Sequence, residues 1–184
     1  MSRTALRLVA SIAFLLAGGL LLLAWAAVVG FLDTTTLSLL VALFAFGTAA
    51  YVSSTEPVPR STLPLAAFGL CVVAAGALFP EYWSGASGAV LPVVTTLVLV
   101  GYVVFAFAVG HALWFDGGPL THRAGAAVAL APGVGLLVTV IGMVAGMGLA
   151  ALLGPFPLLL GVSWLVVALS TFPRERKLPD GTSH

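Results

Sequence analysis

Asparagine and glutamine are absent from this 184-residue chain, lysine occurs once (Lys177), isoleucine twice (Ile12, Ile141) and cysteine once (Cys71). A single thiol excludes an internal disulfide and any multi-cysteine metal cluster. Charge is also scarce, at 7% of residues, against about 25% in an ordinary soluble domain. That is too little polar surface to coat a globule in water. Seven basic and six acidic residues leave a net charge of +1, which excludes a nucleic-acid partner. The shortage of Asn, Lys and Ile fits a GC-rich prokaryotic genome. What the chain does have is apolar: 61% hydrophobic residues and a mean hydropathy of +1.19. Its solvent is lipid.

A helix rising about 1.5 Å per residue needs about 20 apolar residues to cross roughly 30 Å of hydrocarbon. Six stretches free of Asp, Glu, Lys and Arg approach or exceed that length: 8–31, 34–52, 63–79, 89–115, 124–153 and 156–172. The third and sixth have 17 residues, at the short end for a span. The fourth and fifth are long enough to require tilt, a kink or an extension beyond the bilayer. A β-barrel would show short segments of alternating polarity, and none is present. The expectation is an all-α, polytopic membrane protein: one integral domain over 1–184, six transmembrane helices in three hairpins, and a tail over 173–184.

The connections are too short to fold alone. Asp33 with Thr34–Thr36 makes a tight first turn with a helix cap. Ser53 to Arg60 is polar and broken by Pro57 and Pro59, and Pro80 to Gly88 contains Tyr82 and Trp83. Asp116-Gly117-Gly118-Pro119 is a strong turn signal, and Gly154-Pro155-Phe156-Pro157 predicts a close hairpin of helices five and six. With six spans, Arg3, Arg7, Arg60, Arg123, Arg174, Arg176 and Lys177 share one side, while Asp33 and Glu81 lie on the other. The positive-inside rule then places both termini in the cytoplasm of a plasma-membrane protein. Tyr51, Trp114, Phe115 and Phe172 are expected at the inner boundary, and Phe31, Phe79, Tyr82, Trp83 and Phe156 at the outer one. The tail cluster Arg174-Glu175-Arg176-Lys177 reads as an anchor. A cleavable leader ending at Ala24-Trp25-Ala26 is the lesser alternative, because the apolar run is long and continues past that point.

Helices in lipid associate through small residues and a few hydrogen bonds. Ala131, Gly135, Thr139, Gly142, Gly146 and Ala150 repeat at spacings of three and four, which predicts a small-residue face along helix five. That face suits packing within the chain or a homo- or hetero-oligomer interface. Gly18-Gly19 and Ala106-x-x-x-Gly110 are weaker signals of the same kind. Pro132-Gly133 predicts a kink, or a short interfacial piece before the true span.

Moving charge through a membrane requires ionisable groups inside it, and the six spans carry no Asp, Glu, Lys or Arg. Their polar groups are mostly hydroxyls (Ser11, Thr48, Thr95, Thr96, Tyr102, Thr139, Ser163), which on helices tend to bond their own carbonyls. A coupled pump is excluded on this ground. A permease for a neutral or apolar solute is not. His111, Asp116 and His122 form the one loose group of acid–base or metal-ligating types, at spacings unlike those of a zinc site.

Gly85-Ala86-Ser87-Gly88 resembles the G-x-S-G motif of the rhomboid intramembrane proteases. In that family the serine begins the fourth core helix, and a histidine on the sixth acts as its base. The resemblance covers six residues, Gly85 to Val90. The sixth span here has no histidine, His111 lies on another helix at the opposite face, and a serine without a base is a poor nucleophile. The chain therefore reads as a non-enzymatic structural or partner subunit, without a catalytic, cofactor or metal site. The alternatives are a small permease and, last, an inner-face enzyme or metal site using His111, Asp116 and His122.

Overall fold

The computed structural model describes residues 2–26, 34–55, 58–59, 61–78, 90–146 and 155–173. They form six helices: α1 (Arg3–Ala26), α2 (Thr34–Ser54), α3 (Thr62–Leu78), α4 (Val90–Phe115), α5 (Pro119–Val144) and α6 (Pro155–Thr171). Arg3–Leu23, Leu97–Phe115 and Pro119–Gly142 are long and apolar enough to cross a membrane. Ser38–Ser54, Thr62–Gly76 and Leu158–Thr171 are shorter apolar stretches.

Each helix packs on its neighbours in sequence, and α6 returns to α1, closing a ring. Directions alternate around it. Gly18 meets Gly161 while Ser11, two turns earlier, donates its hydroxyl to the Ala168 carbonyl, so α1 and α6 are antiparallel. Arg7, near the start of α1, reaches Asp116, just past the end of α4. The starts of odd-numbered helices and the ends of even-numbered ones therefore share one end of the bundle.

Backbone contact between small residues sets the spacing. A Cβ on Gly69 would stand 2.6 Å from the Gly101 carbonyl oxygen, and one on Gly101 would stand 2.8 Å from that of Gly69. Gly110 and Gly125 are related in the same reciprocal way, at 2.7 and 2.5 Å. Gly18 and Gly161 are looser, at 3.0 and 3.3 Å. Without a hydrophobic drive between helices in lipid, close approach is what supplies dispersion contact and weak backbone attraction.

Larger side chains fill the centre. Phe14, Phe44, Phe105 and Trp164, from α1, α2, α4 and α6, are at most 5% exposed. Trp164 has its ring centroid 4.5 Å from Phe44, 5.2 Å from Phe14 and 5.5 Å from Phe105. Such pairs contribute about 0.5–1.5 kcal/mol each beyond burial. The Trp164 indole N–H donates to the Tyr102 hydroxyl at 2.7 Å, tying α6 to α4.

Several boundaries differ from expectation. α1 starts at Arg3, not Leu8, because the Ala5 amide donates to the Ser2 hydroxyl, a helix cap that carries Arg3 and Arg7 into the helix. Residues 27–31 of the expected first span lie outside the described residues. α5 starts at Pro119, not Ala124: Gly117 turns the chain at φ 76°, and the Gly118 amide and carbonyl both bond the Thr121 hydroxyl. Proline is well suited to that first helical position. Pro132 does not divide the helix; it is buried inside it, and no separate interfacial piece precedes the span. α5 then stops at Val144, nine residues before the expected end, with Gly146 at φ 83° just beyond. Gly142-x-x-x-Gly146 is therefore not a helical packing motif. Gly146 lies beyond the helix with a positive φ, a conformation that L side chains adopt at a cost. Of the expected close turn at Gly154–Pro157, Gly154 lies outside the described residues, and Pro155 already opens α6.

Candidate functional site

Arg3, Arg7, Asp116 and Arg123, the four charged residues among those described, all fall at one end of the ring. Arg7 Nη2 donates to Asp116 Oδ1 at 2.5 Å, with the Arg7 side chain 35% exposed and that of Asp116 7% exposed. Tyr51, in the last turn of α2, is buried within electrostatic reach of this pair. The hydroxyls of Thr48, Tyr51 and Thr62 are buried and make no hydrogen bond. Other hydroxyls do bond back to their own helix, as those of Ser54, Ser163 and Thr171 bond the carbonyls of Tyr51, Leu160 and Val167.

On the outside of the ring, at the same end, α4 and α5 leave a groove of about 420 Å³. Gly110 and Gly125 form its floor: where the two backbones touch, no side chain stands up to fill the valley. Phe107, His111, Trp114 and Phe115 make one wall, and Ala126, Ala129 and Leu130 the other. His111 sits among aromatic rings, 6.1 Å from Phe107 and 4.7 Å from Phe115 between centroids. His122 stacks on Trp114 at 4.3 Å, one turn of α5 before Ala126.

The three residues singled out as an acid–base or metal group are thus divided among separate partners. Asp116 belongs to Arg7, His122 to Trp114, and His111 to Phe107 and Phe115. No group of three His, Cys, Asp or Glu side chains among the described residues is arranged to hold a metal ion. His122 and Arg123, expected in a loop, are in the first turns of α5. The rhomboid-like segment at Gly85–Gly88, together with Asp33, Arg60, Glu81, Arg174, Arg176 and Lys177, lies outside the described residues.

The small-residue face of helix five is occupied within the chain: Ala131, Gly135, Thr139 and Gly142 are all buried. Ala150 lies outside the described residues. The opposite face is exposed, with Val134, Leu137, Ile141 and Val144 at 47%, 60%, 58% and 85%. Sequence reasoning missed Trp164 and named Tyr102 only as a hydroxyl within a span, without its partner. The available signal was a tryptophan in mid-span rather than at an interface, where its N–H requires a partner.

No protein-family model matches the chain, and neither a curated protein nor a solved structure matches it.

Proposed function

We propose that the chain is a non-enzymatic integral membrane component, a structural or partner subunit, threading the plasma membrane six times with both termini cytoplasmic. The observation that carries this reading is the filled centre of the ring. A permease for a neutral solute needs a path between the helices, and Phe14, Phe44, Phe105 and Trp164 occupy the place where it would run. An enzyme using His111, Asp116 and His122 needs them together, and each is engaged elsewhere.

Support for six spans comes from the outer faces of the shorter helices. Phe46 on α2, Phe68 on α3 and Leu169 on α6 are exposed at 60–65%, so an apolar medium surrounds these helices as it does the longer ones. Local thinning of the bilayer accommodates their length. Gathering Arg3, Arg7 and Arg123 at one end supports the assignment of that end to the cytoplasm.

Partner contact is assigned to the outer face of α5 rather than to its small-residue face. Leu130, Val134, Leu137, Ile141 and Val144 recur at spacings of four and three, the seam geometry of left-handed helix pairs. With Cys71→Ser as background, Leu137→Cys should cross-link to a second copy or a companion protein in native membranes, and Phe68→Cys on α3 should not. A protein that stays monomeric and uncross-linked in its own membrane would rule this reading out.

A further inference from the structure

We propose that the groove between α4 and α5 is a binding site for one anionic phospholipid, its hydrocarbon chain lying over Gly110 and Gly125 and its phosphate beside Arg123 and His122. The proposal needs only that the bundle sits in a bilayer; of the proposed partner face the groove shares Leu130 alone, and cross-linking at Leu137→Cys tests that face separately.

Three observations converge on this occupant. The groove is on the lipid-facing surface and its walls are almost wholly apolar, which suits a hydrocarbon chain and no charged solute. It exists because two glycines bring backbone against backbone, so its depth is built into the fold and does not depend on a side-chain rotamer. Two residues before the floor glycine Gly125, on the same helix, stands a cation, Arg123. Arg123 is exposed on α5, and among the described residues the acidic group of this corner, Asp116, is turned to Arg7. An anionic headgroup seated there would meet a guanidinium that pairs with no carboxylate among the described residues. His111 lies about one helical turn before Trp114 on α4, farther from the charged end of the bundle. It offers an N–H inside an otherwise apolar wall.

The test uses the whole protein, purified in detergent and reconstituted in nanodiscs of phosphatidylcholine, with or without added phosphatidylglycerol. Retained lipid is read by native mass spectrometry, and thermal stability is followed in parallel. The wild type should prefer phosphatidylglycerol about fivefold, the contribution of one basic side chain at a membrane surface. Arg123→Gln should remove the preference while leaving the neutral lipid bound. Ala126→Phe, which fills the groove from its α5 wall, should lower retention of both lipids. Val162→Phe, on the exposed face of α6, is the control and should change neither. Since Arg123 is exposed, its substitution tests the headgroup even where Ala126→Phe fails to fold. Equal retention of both lipids by the wild type, an undiminished preference in Arg123→Gln, or a protein found seated in the groove would each overturn the assignment.

Discussion

Gly110 and Gly125 face one another across α4 and α5 so closely that neither tolerates a Cβ. Each would place that atom within 2.7 Å of the other's carbonyl oxygen. Because the obstacle is backbone and not a flexible side chain, a larger residue must push the helices apart. Gly110→Ala should lower stability by about 1–3 kcal/mol, the usual cost of overpacking. Gly19→Ala, with open space around its position, should be nearly neutral. Thermal unfolding in detergent separates the two.

Trp164 and Tyr102 offer a second test. Tyr102→Phe keeps the ring and removes the acceptor of the indole N–H. The loss should be about 0.6–1.7 kcal/mol, the range for hydrogen bonds between membrane helices. Trp164→Ala removes the centre of the aromatic cluster and should cost about 3–5 kcal/mol. A double-mutant cycle on Tyr102→Phe and Trp164→Phe should return a clear coupling energy, and strict additivity would dissociate the pair.

The ion pair of Arg7 and Asp116 links α1 to the turn between α4 and α5. Arg7→Gln leaves a mostly buried carboxylate alone, while Asp116→Asn leaves a partly exposed guanidinium that water can reach. The first should therefore destabilise more than the second. The cost lies near 1 kcal/mol or somewhat above, between the exposed and buried limits. Arg7→Asp with Asp116→Arg should recover part of the loss in denaturation experiments.

Cys71 lies on the exposed face of α3. In a bilayer that face meets hydrocarbon, so a lipid-soluble maleimide should label it and a membrane-impermeant one should not, from either side. A reporter after His184 and a cysteine at Arg60 should both respond from the cytoplasmic side, and a cysteine at Glu81 from the outside. Labelling of the Arg60 and Glu81 positions from the same compartment would break the six-span topology.

Much of the architecture was legible because lipid imposes so severe a rule. A backbone in hydrocarbon must satisfy its own hydrogen bonds, so apolar runs of this length become helices whatever their detailed sequence. All six expected segments contain a helix. Their ends were harder to place. Absence of charge marks where hydrocarbon begins, but a helix continues past that level as long as caps permit, as Ser2 does before α1 and Gly118 with Thr121 before α5. Gly146 misled in the other direction. Periodicity counts a glycine as a helical position, and only the backbone shows Gly146 outside the helix at positive φ.

The candidate site was less legible than the fold. His111, Asp116 and His122 attracted attention by residue type, yet proximity in sequence did not bring them together, since successive helical positions point to different sides. The pairing of Arg7 with Asp116, 109 positions apart, depends on how α1 and α4 meet across the ring.

Amino-acid order alone pointed to an apolar medium and determined the helical content and the gathering of charge toward the helix ends, because each follows from local composition measured against the cost of polar groups in hydrocarbon. Only the folded chain decided which faces are inward. Every side of these helices is apolar, so hydrophobicity does not distinguish core from lipid. Shape makes that choice. Glycine meets glycine where backbones touch, aromatic rings fill what remains, and the groove between α4 and α5 is the space that neither closes.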